Sequence, residues 1–274
     1  MTMVDISPVP AGSKSQGMAR IAAPYRNAGN PLVLSMIPPD VTRVLDIGCG
    51  GGDIARALRA ARPRVEIVGV THSPDEARIA AAHLDAFHVL DLERGLTAPA
   101  LARWGRMFDL MIFSHVLEHL TDPNAVLQRC LTRLRPGGHA LIAVPNVLEW
   151  RTRLGFLRGS FDYAEHGVLD RTHMRFFTYR SAPRELVAPI EGLRLHTQRG
   201  RGSLPLWPLR RIGAARGLCA AVDRVGLALW PNLIARETAM LAQWHGPGSA
   251  MAHGSAQGMS GQLPHDAAEP GTQT

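Results

Sequence analysis

Val44-Leu45-Asp46-Ile47-Gly48-Cys49-Gly50-Gly51-Gly52-Asp53 reads as a buried strand that runs into a glycine turn and then a helix. Arg43-Val44-Leu45 opens the apolar run, Gly48 to Gly52 form the turn, and Ile54-Ala55-Arg56-Ala57-Leu58 start the helix. Glycine accepts positive φ and lets a ligand come close to the backbone. A nucleotide-like molecule lying across the carboxyl ends of parallel strands needs such a turn.

The spacing separates two kinds of cofactor. A dinucleotide fingerprint, G-x-G-x-x-G, uses its third glycine to pack helix on strand. Counted from Gly48 and Gly50, that place is held by Asp53. A nicotinamide-linked dehydrogenase is therefore disfavoured. The pattern is instead D-x-G-x-G, with the acid Asp46 two residues ahead of the first glycine.

The chain has 274 residues, which suits one domain with tails. Residues 1–20 carry Ser, Pro and Gly without periodicity, and from Gly246 onward large apolar residues are almost absent. Both ends are expected to be disordered around a domain of 21–245. No apolar run is long enough for a transmembrane helix, and the N-terminus lacks the apolar core of a signal peptide. Cys49, Cys130 and Cys219 show no paired spacing, which suits a reducing cytoplasm and speaks against a zinc site. Charge is uneven. Residues 1–150 hold 15 Lys+Arg against 14 Asp+Glu, whereas 151–245 hold 15 against 7 and carry +8. That excess suits an acidic acceptor or an anionic surface, although an arginine-rich codon bias explains it as well. No nucleic-acid-binding motif accompanies it, so no nucleic-acid partner is expected.

Strands and helices alternate along the chain. A short helix is expected within 24–40, ending at Pro38-Pro39, then strands near 43–48 and 65–70, with a helix at 53–61 between them. Ser73-Pro74-Asp75-Glu76 opens a further helix, with Ser73 as N-cap and Glu76 placed to close a capping box. Further strands are expected at Ala86 to Leu90, Phe108 to Phe113 and Ala140 to Val144. Asp122-Pro123 caps a helix whose stripe is Val126, Leu127, Cys130, Leu131 and Leu134, stopped by Arg135-Pro136-Gly137-Gly138. The alternation argues an α/β fold with a mainly parallel sheet.

Together these landmarks resemble the class I S-adenosylmethionine (SAM)-dependent methyltransferases. The resemblance rests on Val44–Asp53, Phe108-Asp109-Leu110, Ser114-His115-Val116-Leu117-Glu118-His119-Leu120, Leu134 to Gly138 and Val144-Pro145-Asn146. Gly167-Val168-Leu169-Asp170-Arg171-Thr172-His173-Met174-Arg175-Phe176-Phe177-Thr178 also resembles a bacterial subgroup signature, G-x-L-D-x-T-H-x-R-F-F-T. The resemblance covers about 25–240. It implies a Rossmann-like, seven-stranded, mostly parallel sheet with helices on both faces and the last strand antiparallel. It also implies SAM as cofactor. Asp46 would face the methionine end of the cofactor through Gly48. Gly48, Cys49, Gly50 and Gly52 would form the cradle. Asp91 would accept from the adenine amino group, Leu92 would donate its N–H to the ring, and Ser114 would lie beside the cofactor. After the second strand the family usually places an acid for both ribose hydroxyls; here that place is Thr71, followed by His72. A neutral hydrogen bond is worth about 0.5–1.5 kcal/mol and one to a charged group about 1.5–3. Weaker cofactor binding is expected unless His72 or a water compensates. Asp75 is better explained by the helix dipole.

Methyl transfer to oxygen needs alignment and removal of one proton. The candidate bases are His173, His115 and Asp170, with Glu118 and His119 also near; each also suits a packing or turn role. Some relatives hold a divalent metal with E-x-x-E-H, but His115 stands in the first position here, so no metal is expected. Segments 150–180 and 200–231 read as substrate-side insertions. Trp150 to Tyr163 could form a lid. Residues 204–231 fit either a membrane-surface helix or an amphipathic helix covering the sheet or a dimer face. The expected acceptor is a small molecule or a glycan- or lipid-linked group, anionic in character, methylated at oxygen by a cytoplasmic monomer or homodimer. The competing expectation is a non-catalytic regulatory or scaffold protein on the same fold.

Overall fold

The computed structural model describes residues 29–248. The expected tail 1–20 lies outside them, as do 249–274 of the expected tail 246–274 and the start of the expected helix at 24–40. Among the described residues of that span only α1, Pro31–Leu34, is helical. Asn30 caps it, its side chain accepting from the N–H groups of Leu32 and Val33.

β1 (Arg43–Ile47) leads through the glycine turn to α2 (Asp53–Ala61), β2 (Glu66–Thr71), α3 (Pro74–Ala80) and β3 (Ala86–Val89). Then follow α4 (Ala98–Ala102), β4 (Phe108–Ser114), α5 (Pro123–Leu131) and β5 (Leu134–Pro145). The C-terminal part adds α6 (Trp150–Leu157), α7 (Ser181–Leu186), β6 (Leu193–Gly202), α8 (Trp207–Arg210), α9 (Arg216–Leu229), α10 (Pro231–Ile234) and β7 (Ala235–Trp244). The sheet order is β3-β2-β1-β4-β5-β7-β6. The pairs β1–β2, β1–β4, β2–β3 and β4–β5 are parallel, whereas β7 runs antiparallel to both its neighbours. This is the seven-stranded, mostly parallel sheet that the resemblance implied.

Both faces of the central strands are covered, which is why they read as apolar runs rather than alternations. Leu45, Ile47, Val68, Val70, Met111 and Phe113 pack on one face with Leu127 and Leu131 of α5. Val44, Ile67, Leu110, Ile112 and Leu141 pack on the other with Ile54 and Leu58 of α2 and with α1. Full burial of each such side chain is worth about 1.5–3 kcal/mol. β3 is short and largely exposed, as suits an edge strand. β5 starts earlier than the expected 140–144, because Leu134 already pairs with Phe108 before a register shift. Asp109 ties the other ends of the strands together: its carboxylate accepts from Thr42 N–H, Thr42 Oγ1 and Arg43 N–H. Among the described residues no helix is long and apolar enough to cross a membrane.

Candidate functional site

The turn after β1 is shaped by its packing. The N–H groups of Gly48 and Cys49 both donate to Val70 O at the end of β2, at 2.7 and 3.0 Å. Gly48 has φ +72, and a Cβ there would lie 2.3 Å from Val116 Cγ2. Gly50 has φ +50, and a Cβ there would meet nothing within 4 Å. One glycine thus admits the neighbouring loop, while the other leaves the ligand side open.

A cleft of about 1790 Å³ lies along the carboxyl ends of β1 to β4. Its wall includes Gly48, Cys49, Gly50, Thr71, His72, Asp91, Leu92 and Ser114 on one side, and His115, Asp170 and His173 on the other. The expected cofactor and catalytic residues therefore converge on one space, with two exceptions. Gly52 packs against Ala80 of α3, and Asp46 lies behind the turn rather than on the wall. Small-ligand sites usually span about 300–1,000 Å³, so this cleft has room for a cofactor and an acceptor together.

Asp46 is 1% exposed, and its Oδ2 has no hydrogen-bond partner among the described residues. Burial pushes its carboxyl up from 3.8 to about 7. An acid in this state favours a positively charged neighbour, and the donor set fits the cationic end of SAM. Burial, and then the charges of Asp46 and Glu76, push the Cys49 thiol up, so Cys49 stays protonated. Asp91 Oδ1 accepts from the N–H groups of Glu93 and Arg94, which holds the loop after β3.

The expected capping box closes only halfway. Ser73 Oγ accepts from Glu76 N–H at 3.3 Å, but the Glu76 carboxylate does not return to Ser73. Instead Thr71 Oγ1 donates to Glu76 Oε2 at 2.8 Å, and Ser73 N–H donates to Thr71 Oγ1. An acid therefore does stand at the end of β2, supplied by α3.

His115 follows β4 with φ +57, in a region that non-glycine residues seldom adopt. Its Nδ1 lies 3.2 Å from Glu118 Oε1 and its Nε2 lies 2.9 Å from Glu237 Oε2. Burial opposes its charge, but hydrogen bonds and charge from both carboxylates outweigh that and raise it from 6.5 to about 10. Glu237 also accepts from Asn30 Nδ2 at 2.9 Å and from Arg201 Nε. Burial would raise Glu237, yet His115 and Arg201 bring it down to about 2. This corrects the expectation of His115 as a candidate base, since neither ring nitrogen keeps a free lone pair. Asp170 is also poorly suited to take a proton. Against the effect of burial, Thr172 N–H and Oγ1 on its Oδ1 hold it below the usual carboxylate range.

His173 is different. Its Nδ1 faces Val168 O at 3.1 Å; a carbonyl only accepts, so Nδ1 carries the proton and Nε2 keeps its lone pair. Burial lowers its pKa, which keeps the ring neutral. His119 is oriented likewise: Thr172 spends its hydroxyl proton on Asp170, so His119 Nδ1 donates to Thr172, at 3.0 Å to Oγ1 and 3.3 Å to O. Glu118 is buried, and its Oε2 has no partner among the described residues. Glu118, His119 and His173 each bring one ligand atom to within 4.8 Å of the others.

Asn30, Glu76, Arg201 and Glu237 were not anticipated. A signal existed for Glu237: it is a lone acid in the apolar run Ala235 to Trp244. Replacing Glu237 by Ala is expected to leave His115 and Arg201 short of a counter-charge and to cost about 3–5 kcal/mol. Thermal unfolding should show a melting temperature lower by roughly 10 °C. The His115 contribution is fully present below pH 6.5 and is lost as pH rises through about 10. The Glu237 contribution is present above pH 4.5 and is lost as pH falls through about 2. The deficit should therefore be largest between those limits, and an unchanged melting temperature at pH 5.5 would contradict it.

A methyltransferase-domain family model matches residues 18–184. A ubiquinone biosynthesis O-methyltransferase of Cereibacter sphaeroides is 36% identical over 110 residues, covering 40% of this chain and 44% of that protein. Its counterpart from Rhizobium johnstonii is 37% identical over 131 residues, covering 42% and 52%. The chain spans about half the length of the curated relatives it matches. A SAM-dependent methyltransferase structure from Archaeoglobus fulgidus superposes with TM-score 0.50 at 18% identity, covering 74% of this chain and 86% of that one, a likeness of fold. With the D-x-G-x-G turn, the sheet order and the family match over 18–184 in agreement, the chain belongs to the class I SAM-dependent methyltransferases.

Proposed function

We propose that the chain transfers a methyl group from SAM to a hydroxyl oxygen of a small or lipid-linked acceptor. One observation carries this reading: a neutral, oriented His173 faces the same cleft as the glycine turn, with Asp46 buried behind that turn. The cofactor supplies a methyl group made electrophilic by a sulfonium. Asp46 draws its cationic end toward β1, and Gly48 and Gly50 let it approach the backbone. Gly52 shapes the turn from behind. Asp91 and Leu92 receive the adenine end, with Ser114 between them and the acceptor. His173 Nε2 takes the acceptor's hydroxyl proton as the oxygen is methylated. Asp170, through Thr172, orients His119, and the charged His115 holds Glu118 and Glu237 in place. The relatives named as ubiquinone biosynthesis O-methyltransferases support oxygen as the methylated atom. α9 presents Leu218, Val222, Val225 and Leu229 exposed along one stripe while burying Cys219 and Gly226. That apolar stripe supports a lipid-linked acceptor met at a membrane surface.

The experiment is thermal unfolding with S-adenosylhomocysteine, with NAD as control. This is followed by methyl transfer from labelled SAM to phenols and catechols, with and without a lipid tail, and to hydroxylated sugars. Ligand at 100 times its Kd stabilises by about 2.7 kcal/mol, a rise of roughly 5–10 °C. No rise with the homocysteine product, from folded protein, would favour the scaffold reading.

A second reading has its own observation. Glu118, His119 and His173 together offer a carboxylate and two imidazoles at metal-ligand separation. Both histidines have Nδ1 donating to protein oxygen, the orientation that metal-bound histidines show. Such a set suits a divalent first-row cation. Turnover that survives chelation would remove this reading. Turnover lost with the chelator and restored by added metal would establish it.

A further inference from the structure

The chain leaves the sheet at Gly202, the end of β6, and returns at Ala235, the start of β7. α8, α9 and α10 fill that excursion. β7 is antiparallel, so its first residues stand beside the carboxyl end of β5, with Pro145 opposite Glu237. The excursion therefore starts and ends at the rim of the cleft, whose wall includes Gly202, Ser203 and Arg236.

α9 is inverted relative to a helix that covers a sheet, which buries its large apolar side chains. α9 buries Cys219 and Gly226 instead. Gly226 lets the helix come close: a Cβ there would lie 3.3 Å from Leu204 Cδ1 and 3.5 Å from Ile234 Cγ1. Leu218, Val222, Val225 and Leu229 recur at helical spacing and face outward. Leu218, Val225, Leu229 and the adjoining Trp230 are each more than half exposed, as is Ile212 ahead of the helix. A contiguous apolar surface of this kind marks an interaction site.

Charge identifies the occupant. Residues 203–235 hold Arg210, Arg211, Arg216 and Arg224 against a single acid, Asp223. Asp223 is spent inside the excursion, accepting from Leu204 N–H at 2.9 Å and from Arg210 Nη2 at 2.5 Å. Arg211, Arg216 and Arg224 are exposed and have no acidic partner among the described residues. A second copy meeting this face about a twofold axis would set like charges against each other. A bilayer with acidic phospholipids offers an apolar layer to the stripe and phosphates to the arginines.

We propose that the β6–β7 excursion docks the protein on an anionic lipid bilayer, with the α9 stripe and Trp230 in the interface. Arg211, Arg216 and Arg224 reach the headgroups on their long stems. α9, with 14 residues, lies along the surface instead of crossing it. Tryptophan rings settle at headgroup level. The rim of the cleft then stands at the bilayer. This deepens the proposed reading of a lipid-linked acceptor, on which only its purpose rests, by naming the docking surface and the lipid charge it needs.

The test is co-sedimentation of the full chain with vesicles of equal parts phosphatidylcholine and phosphatidylglycerol, and with vesicles of phosphatidylcholine alone. Neither cofactor nor acceptor is present, so the result is independent of the methyl-transfer reading. Wild type should bind the anionic vesicles at least about 10-fold more tightly, since each basic residue near such a surface contributes about 5-fold. The triple variant Arg211→Gln, Arg216→Gln, Arg224→Gln should lose most of that preference. The double variant Leu218→Glu, Val225→Glu should bind neither vesicle. All five positions are exposed, and an unchanged melting temperature checks that the variants fold. Wild type that binds neither vesicle, equal binding to both, or anionic binding that survives the double substitution would overturn the inference. A solution dimer that the double substitution dissociates would also overturn it, assigning the stripe to a second copy.

Discussion

Replacing Asp46 by Asn is expected to make the unliganded protein more stable above pH 7 and its affinity for SAM about 100-fold lower. Both effects come from one buried oxygen pair. Asp46 sits on β1, hydrogen-bonded through its backbone in a sheet covered on both faces, and its Oδ2 has no partner among the described residues. Burial raises its pKa from 3.8 to about 7. The folded state therefore holds a proton that the unfolded state releases near pH 4. Stability is fully present below the unfolded value and declines as pH rises through about 7, by roughly 4 kcal/mol in all. Asn has the same shape and no charge, so that decline should vanish. A cationic ligand reverses the balance by pairing with the ionised form. Removing one member of a buried charge pair typically costs about 3–5 kcal/mol, which is a loss of two orders of magnitude or more. Melting curves from pH 5 to pH 9, with and without SAM, check both halves. A variant with the wild-type pH slope and wild-type affinity would show that Asp46 neither ionises nor meets the cofactor.

Replacing His173 by Ala is expected to lower kcat about 10²- to 10⁴-fold, the range of a lost general base, with the Kd for S-adenosylhomocysteine unchanged. His173 lies between α6 and α7 and lines the cleft together with Asp170. Its ring packs edge-on against His119 at 4.8 Å, so a chromatographic and thermal check that this segment keeps its structure belongs with the assay. Added imidazole should restore part of the rate, because a small base can enter the space the side chain leaves. Wild-type turnover in the variant would remove His173 from the chemistry. Loss of both turnover and cofactor binding would assign it to structure instead.

The parts legible in the sequence are those whose physics is local. The D-x-G-x-G turn, the Ser73 and Asp122 caps, and the α5 stripe each lie within a few residues, where φ preference, capping and periodicity act. α2 has the expected bounds, Asp53–Ala61, whereas α5 stops at Leu131 and the expected stripe residue Leu134 opens β5 instead. The capping motif at Ser73 shows where locality fails. The spacing to Glu76 is that of a closed box, and the backbone half forms. The carboxylate takes the stronger alternative that the end of β2 offers, a hydroxyl donor five residues upstream. The one acid of β7, Glu237, was visible but without meaning until its neighbours were known.

The amino-acid order alone therefore determined the α/β alternation, the cofactor turn and the family, because each depends on contacts between near neighbours in the chain. Only the tertiary structure decided which histidine keeps a lone pair. His115 keeps none, because its two ring N–H groups donate to Glu118 and to Glu237, the latter 122 residues further along. His173 keeps Nε2 because a loop carbonyl occupies Nδ1. Proton occupancy in a buried site is set by the few groups within about 4 Å, where charges interact through little solvent, and chain separation says nothing about which groups those are.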